Sequence, residues 1–164
     1  MSSRDEVVQV KGEKCRIRCY DNAGKTADRY TVVYMDCPER SLPGSYAAVG
    51  MNAEPFHPQG IGMHTSAMPG EHLGRRVRLS ELPEDCQKLV QRDLDEIAAH
   101  KQRERIGELV ASHGFGEPTE EGYKVCRELM DSGDDMATAA AEVASRGLTT
   151  EAEESEQERG GVER

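Results

Sequence analysis

The chain has 164 residues, of which 36% are hydrophobic, 4% aromatic and 32% charged, and its formal net charge is −10 at pH 7. That length is about one ordinary domain, by the rough prior of 100–200 residues for each domain. No apolar run reaches the roughly 20 residues that a membrane span needs, and residues 1–16 lack the apolar segment of a secretory signal. The sequence therefore predicts a soluble, cytoplasmic protein with no membrane partner.

Two strands joined by a polar loop are predicted in the first part of the chain. Residues 15–20 alternate between apolar and charged side chains, which is typical of a half-buried strand. Residues 29–35 are β-branched and aromatic, and the segment between them has the Asn, Asp and Gly content of a turn. We therefore predict a β-hairpin over residues 15–35. Because loops on rigid hairpins often carry binding sites, its candidate ligand-binding residues are Asp21, Asn22, Lys25, Thr26, Asp28 and Arg29.

Part of this loop is similar to a nucleotide-binding P-loop. Gly24, Lys25 and Thr26 match its end, but Cys19 stands where the pattern requires a glycine. A strand is predicted after Thr26, whereas a P-loop needs a helix there to direct backbone amides at phosphates. The pattern therefore does not predict a nucleoside triphosphatase.

A second candidate segment follows a strand predicted at residues 45–51. Residues 52–70 are rich in proline and glycine, which indicates irregular structure, yet they keep enough large apolar residues to be ordered. We predict that His57, Gln59 and His64 form the wall of a binding site opposite the hairpin loop. Because imidazole titrates near neutrality, His57 and His64 are also candidate catalytic acid/base groups. The alternative for His57 is a tight turn in which its ring binds backbone.

The same histidines could bind zinc or another divalent metal, with Cys37 or Glu54 completing the site. Their spacing matches no zinc pattern, so we predict no metal and no other cofactor. The five cysteines are scattered and odd in number, which favours reduced thiols.

Arginines form a third feature. Arg16, Arg18, Arg76 and Arg78 alternate with apolar residues and would share one sheet face if their strands are neighbours. Such a face could bind phosphates, and the alternative is a solvated arginine-rich surface. The net charge of −10 argues against a general nucleic-acid binder.

Helices are predicted for the remainder of the chain. A helix begins near Pro83 and Glu84, and its apolar stripe changes to nearly the opposite face after residues 100–105. Either the helix breaks there, or one long helix packs first on the sheet and then on C-terminal helices. Two further helices are predicted, one starting at Thr119 and one at residues 136–145.

These elements predict an α+β fold. Residues 1–100 form a small, mainly antiparallel β-sheet with one packed helix. A helical extension at residues 101–148 and a disordered acidic tail at residues 149–164 follow.

Three segments carry a resemblance to a known family. They are YDNAGKTADRYTVVY at residues 20–34, PFHPQG at 55–60 and HLGRR at 72–76. Over about residues 15–97 the chain resembles a family of small uncharacterised proteins from bacteriophages, prophages and plasmids. Family members have a second glycine where this chain has Ala23. The resemblance implies a mobile-element context, and it supplies no catalytic residues because the family has no established activity.

The function that we expect is that of a phage or plasmid accessory protein rather than an enzyme. It would bind a small ligand, a phosphate-bearing one among the candidates, or a host or phage protein, through the loops at residues 21–29 and 56–64. Antagonism of host defence is the role that the mobile-element context suggests. One alternative is a hydrolase or nuclease that depends on His57 and His64 or on a metal. The other is an acidic DNA mimic acting through residues 117–164.

Overall fold

The computed structural model describes residues 4–155 and confirms the α+β prediction. All pairings between its strands are antiparallel. The chain divides into two compact units, Met1–Ala98 and Ala99–Arg164. No helix within the described residues is long and apolar enough to cross a membrane.

The first unit contains a six-stranded sheet in the order β1-β2-β3-β4-β5, and β6 pairs with the end of β2 on the same side as β1. The predicted hairpin is β2 and β3. The prediction of irregular structure is wrong for β5, whose exposed, small and polar residues lack the apolar alternation by which strands are recognised. The strands are β1 (Glu6–Val10), β2 (Glu13–Asp21), β3 (Tyr30–Pro38), β4 (Tyr46–Met51), β5 (Gly62–Ala67) and β6 (Arg75–Val77).

A single helix, α1 (Glu84–Val110), carries both apolar stripes, so the continuous alternative is correct and the break near residues 100–105 does not occur. Its first half packs on one face of the sheet, here called the helix face. Residues of that half in the sheet core include Val90 and Leu94. Ile106 and Val110 belong instead to a second core in the second unit.

The other face of the sheet, here called the open face, is crossed by residues 68–74. This crossover segment connects β5 at one edge with β6 beside β2. Its Leu73 packs against Tyr20, Val33 and Ala48, which form a small separate cluster on this face.

The second unit contains α2 (Glu120–Asp131) and α3 (Met136–Ser145). Both begin where they are predicted to begin, and each has a side-chain cap: Thr119 accepts from the amide of Gly122, and Asp135 accepts from that of Thr138. Gly114, with φ of 92°, lies in the turn that ends α1.

The predicted tail begins too early. Thr149 is buried and forms a β-bridge with Pro118, and residues 150–155 are helical. Residues 156–164 lie outside the described part of the chain.

Candidate functional site

The two predicted binding loops leave the same end of the sheet. The register pairs Asp21 with Tyr30, Tyr30 with Met51, and Met51 with Gly62. The hairpin loop therefore starts where the loop at residues 52–61 starts. The structure thus places the two segments at one end, as a shared surface would require.

The hairpin loop is held together by its own polar side chains. Arg29 forms a bidentate ion pair with Asp21, with Nε–Oδ1 and Nη2–Oδ2 distances of 2.8 and 3.2 Å. The hydrogen bond from Arg29 lowers the pKa of Asp21. Asp21 is therefore an ionised partner of Arg29, and neither side chain is free to meet a ligand without losing the other.

Side-chain hydrogen bonds also hold the tip of this loop. Asn22 donates to Thr26 over 2.6 Å, and the Thr26 hydroxyl donates to Asp28 over 2.6 Å. Lys25 is exposed, and within residues 4–155 its amine has no hydrogen-bond or ion-pair partner. Of the six predicted binding residues in this loop, Lys25 is the only one whose polar side chain has no partner within the loop.

The loop at residues 52–61 is organised by Asn52. Its side-chain oxygen accepts from the amides of Glu54 and Ile61, both at 3.1 Å. His57 closes a turn, because its Nδ1 accepts from the Gln59 amide at 3.1 Å. The turn alternative for His57 is therefore the observed one, and its Nδ1 is already occupied.

His64 has a different environment, since it lies in β5 and reaches α1. Its Nε2 is 2.7 Å from Oδ1 of Asp93, whose side chain is only 12% exposed, whereas that of His64 is 61% exposed. The Tyr34 hydroxyl donates to the other Asp93 oxygen. Burial raises the pKa of Tyr34, which keeps it a hydrogen-bond donor. A carboxylate fixed by a buried phenol thus orients an exposed imidazole, the arrangement of a general base.

Asp93 was absent from the sequence prediction. It stands four residues after Leu89 and three after Val90, inside the apolar stripe of α1. An acid within such a stripe is a signal that could have identified it, because a buried carboxylate requires a partner.

No metal centre is formed in the part of the chain that the structure describes, where no three His, Cys, Asp or Glu side chains converge. His64 and Asp93 are a pair without a third ligand. The alternative of a zinc site on His57 and His64 therefore gains no geometric support and stays a prediction.

Two of the buried thiols are poor nucleophiles in the folded protein. Burial raises the pKa of Cys19 to about 12 and that of Cys86 to about 11. Because the thiolate is the reactive form, neither residue offers nucleophilic catalysis at neutral pH.

A second candidate site lies on the open face beside β6. It is an open cavity of about 1260 Å³ between the chain start, β2, the crossover segment and β6. We call it the arginine pocket, and its arginines are Arg4, Arg18, Arg75, Arg76 and Arg78.

Three of the four acids that line the arginine pocket already have partners. Asp5 pairs with Arg18 at 2.5 Å. Glu6 accepts from the Leu79 amide at 2.9 Å, and Glu81 accepts from the Arg78 amide at 2.7 Å. The hydrogen bonds and the ion pair of these carboxylates are therefore made with the surrounding backbone and with Arg18.

The charges of the Arg76 and Arg78 guanidinium groups are not compensated by neighbouring carboxylates. Within residues 4–155 no carboxylate forms an ion pair with either of them. Arg76 lies opposite Tyr20 in the β2–β6 register, its Cζ is 5.6 Å from the Tyr20 ring centre, and its Nη2 donates to the Arg4 carbonyl at 3.0 Å. Its Nε is buried and has no acceptor in the described residues. A buried donor without an acceptor costs about 1–3 kcal/mol.

The predicted arginine face is thus partly formed. The pairing of β2 with β6 brings Arg18, Arg76 and Arg78 to one cavity. Arg16 is not among the residues that line it and instead binds Asp36 with an Nε–Oδ1 distance of 2.8 Å.

The acidic residues of the second unit have local structural roles. Glu120 pairs with Arg103 at 2.5 Å and Glu142 with Arg146 at 2.8 Å, while Asp135 caps α3. No feature of residues 117–155 specifically favours a DNA mimic, which stays a prediction.

No family model, curated protein or solved structure matches this chain. Membership of the phage and plasmid family therefore stays a prediction, and so does the mobile-element context.

Proposed function

We propose that this protein is an accessory binding protein that takes a phosphate-bearing ligand in the arginine pocket. The observation that carries the proposal is the buried Nε of Arg76, which lacks an acceptor beside the unpaired guanidinium of Arg78. Guanidinium groups present several N–H donors in a plane and match the oxygens of a phosphate. A phosphate oxygen near Arg76 would supply the missing acceptor.

Charge supports the same ligand class. Residues 1–80 carry a net charge of +2 in a chain of −10, and every residue that lines the arginine pocket except Glu81 belongs to this part. The net charge around the pocket therefore does not oppose an anion. The cavity is open and larger than the roughly 300–1,000 Å³ of a typical small-molecule site. We therefore expect modest affinity that falls with salt, because exposed charges are screened within about 8–10 Å at physiological ionic strength.

We propose that the loops at residues 21–29 and 56–64 form a separate surface that binds a host or phage protein. Their common position at one end of the sheet supports it, as do the free amine of Lys25 and the 41% exposure of Phe56. We also propose a cytoplasmic location, as the sequence predicts, and a role in antagonism of host defence, which rests on the resemblance alone.

The first test is titration of pyrophosphate into the full chain, followed by NMR chemical shifts and calorimetry. We expect wild type to bind and Arg76→Met to bind roughly 10–100-fold more weakly, because a hydrogen bond to a charged group contributes about 1.5–3 kcal/mol. Methionine retains an unbranched apolar stem beside Tyr20, so the fold should persist.

Arg92→Met is the matched control, since Arg92 stacks on Phe56 at 4.7 Å and does not line the arginine pocket. It removes the same charge and should leave affinity within about twofold at moderate salt. Equal losses in both variants, or no binding by wild type at millimolar pyrophosphate, would reject the site.

A hydrolase that uses His64 is the second candidate, because Asp93 and Tyr34 hold its imidazole in the manner of a general base. Hydrolysis of 4-nitrophenyl acetate by the full chain would measure this capacity. We expect His64→Ala to lose about 10²-fold or more of the catalysed rate, as general-base catalysis contributes.

His57→Ala is the comparison, because His57 is also exposed but its Nδ1 is bound to the Gln59 amide. It should keep the wild-type rate. A rate that falls equally in both variants would point to nonspecific imidazole reactivity, and a wild-type rate no higher than buffer would remove this candidate.

A further inference from the structure

The outer edge of β5 has no partner strand among the described residues, because β5 ends the strand order of the sheet. Its six residues pair with β4 in one unbroken register, from Met51–Gly62 to Tyr46–Ala67. Residues 62–65 are exposed, and Met63 is 65% exposed. A regular free edge of this kind presents a row of unpaired backbone donors and acceptors.

Proteins usually protect such edges with charges, proline, bulges or short strands. The other side of this sheet shows that protection, since it is divided between β1 and the three-residue β6 and carries Glu6, Arg75 and Arg76. Gly62–Ala67 contains no Asp, Glu, Lys, Arg or Pro. Its one ionisable residue, His64, is paired with Asp93 of the same chain. The β5 edge is therefore open to pairing.

We propose that β5 pairs antiparallel with β5 of a second copy of this chain around a two-fold axis, so that the two sheets become continuous. An antiparallel strand can meet its own copy with each backbone donor opposite an acceptor, and two-fold dimers are the commonest symmetric assembly.

Charge favours a second copy at this edge. Two chains of net charge −10 repel one another over most approaches, whereas Gly62–Ala67 contains no Asp, Glu, Lys or Arg, and its His64 is paired with Asp93 of its own chain. Pairing would also cover Met63, whose side chain is among the most exposed apolar groups described. The interface is small, so the affinity is expected to be micromolar rather than nanomolar.

The test is sedimentation of the full chain over roughly 1 μM to 1 mM, the range in which weak interfaces dissociate. We expect a concentration-dependent dimer. Thr65→Lys, at an exposed position of β5, should raise the dissociation constant about tenfold or more, because it brings like charges together at the axis. Met63→Lys should act in the same direction and provides a second variant should either fail to fold.

Val7→Lys is the matched control, since Val7 is a 54% exposed apolar residue of β1 at the opposite side of the sheet. It should dimerise as wild type does. Amide exchange at residues 62–67 should slow at high protein concentration. A monomer throughout the range, dimerisation unchanged in both β5 variants, or disruption by Val7→Lys equal to theirs would overturn the proposal.

Discussion

Replacement of Leu94 by alanine is expected to remove about 2–5 kcal/mol from the free energy of unfolding of the first unit. Leu94 is fully buried and belongs to the core that α1 forms with the helix face of the sheet. Truncation removes the transfer free energy of three carbon atoms and leaves a cavity that the strands can close only partly.

The matching variant, Ile106→Ala, should have a loss of similar size in the second unit. Ile106 is also fully buried on α1, but its core contains Val143 and shares no residue with that of Leu94. Residue-resolved hydrogen exchange should therefore show Leu94→Ala lowering protection in β2–β4, and Ile106→Ala lowering it in α2 and α3. Leu42→Ala, at a 54% exposed position, should change stability by under about 0.5 kcal/mol.

If either variant lowered protection equally in both units, the two cores would not be energetically separate. The two units would then unfold as one cooperative unit. The comparison thus tests whether α1 serves two cores independently, which the sequence pattern of its two stripes already indicates.

Elements whose pattern reflects burial could be predicted from the sequence. The alternation of β2 follows from one face packing under α1, and the change of stripe along α1 follows from its change of packing partner. β5 carries no such signal. Only the face of His64 points towards α1, and hydrogen bonding to β4 rather than side-chain burial makes Gly62–Ala67 a strand.

The candidate sites were less predictable, because they depend on which polar groups satisfy one another. Composition identifies the polar residues of the hairpin loop, but it cannot show that Asp21 and Arg29 bind each other. The position of Arg76 in the arginine pocket likewise depends on the pairing of β6 with β2, which joins residues more than fifty positions apart. His64 could be proposed from the sequence because histidine is a common acid/base residue. Its pairing with Asp93 could not, because that contact depends on how α1 packs on the sheet.

The arginine pocket depends on how closely the crossover segment approaches β2, and Gly74 lies directly against the backbone at the end of β2. Its φ is +118°, a conformation that side chains with a Cβ rarely adopt. A Cβ there would lie 2.4 Å from the Asp21 carbonyl oxygen and 2.7 Å from the Asn22 Cα, both backbone atoms. Neither atom can move without displacing the end of β2.

Gly74→Ala is therefore expected to cost about 1–3 kcal/mol from backbone strain, with a further loss from the displaced pairing of β6. Because Arg76 reaches the pocket from β6, pyrophosphate affinity should fall together with stability, by tenfold or more if its hydrogen bonds are lost. Thermal unfolding and the pyrophosphate titration measure the two effects on the same sample.

Gly70→Ala is the control at the other end of the crossover segment. Gly70 has an extended φ of 168°, and a Cβ there would meet only the exposed His72 ring, at 3.0 Å, which can turn away. This variant should keep the wild-type stability. Because Gly70 itself lines the arginine pocket, the control for affinity remains Arg92→Met. If Gly74→Ala lowered the unfolding temperature yet kept wild-type pyrophosphate affinity while amide shifts showed β6 displaced, the ligand would not depend on Arg76. The binding site would then have to be sought on the loops at the end of the sheet, where Lys25 has the one unpartnered polar side chain of the described hairpin loop.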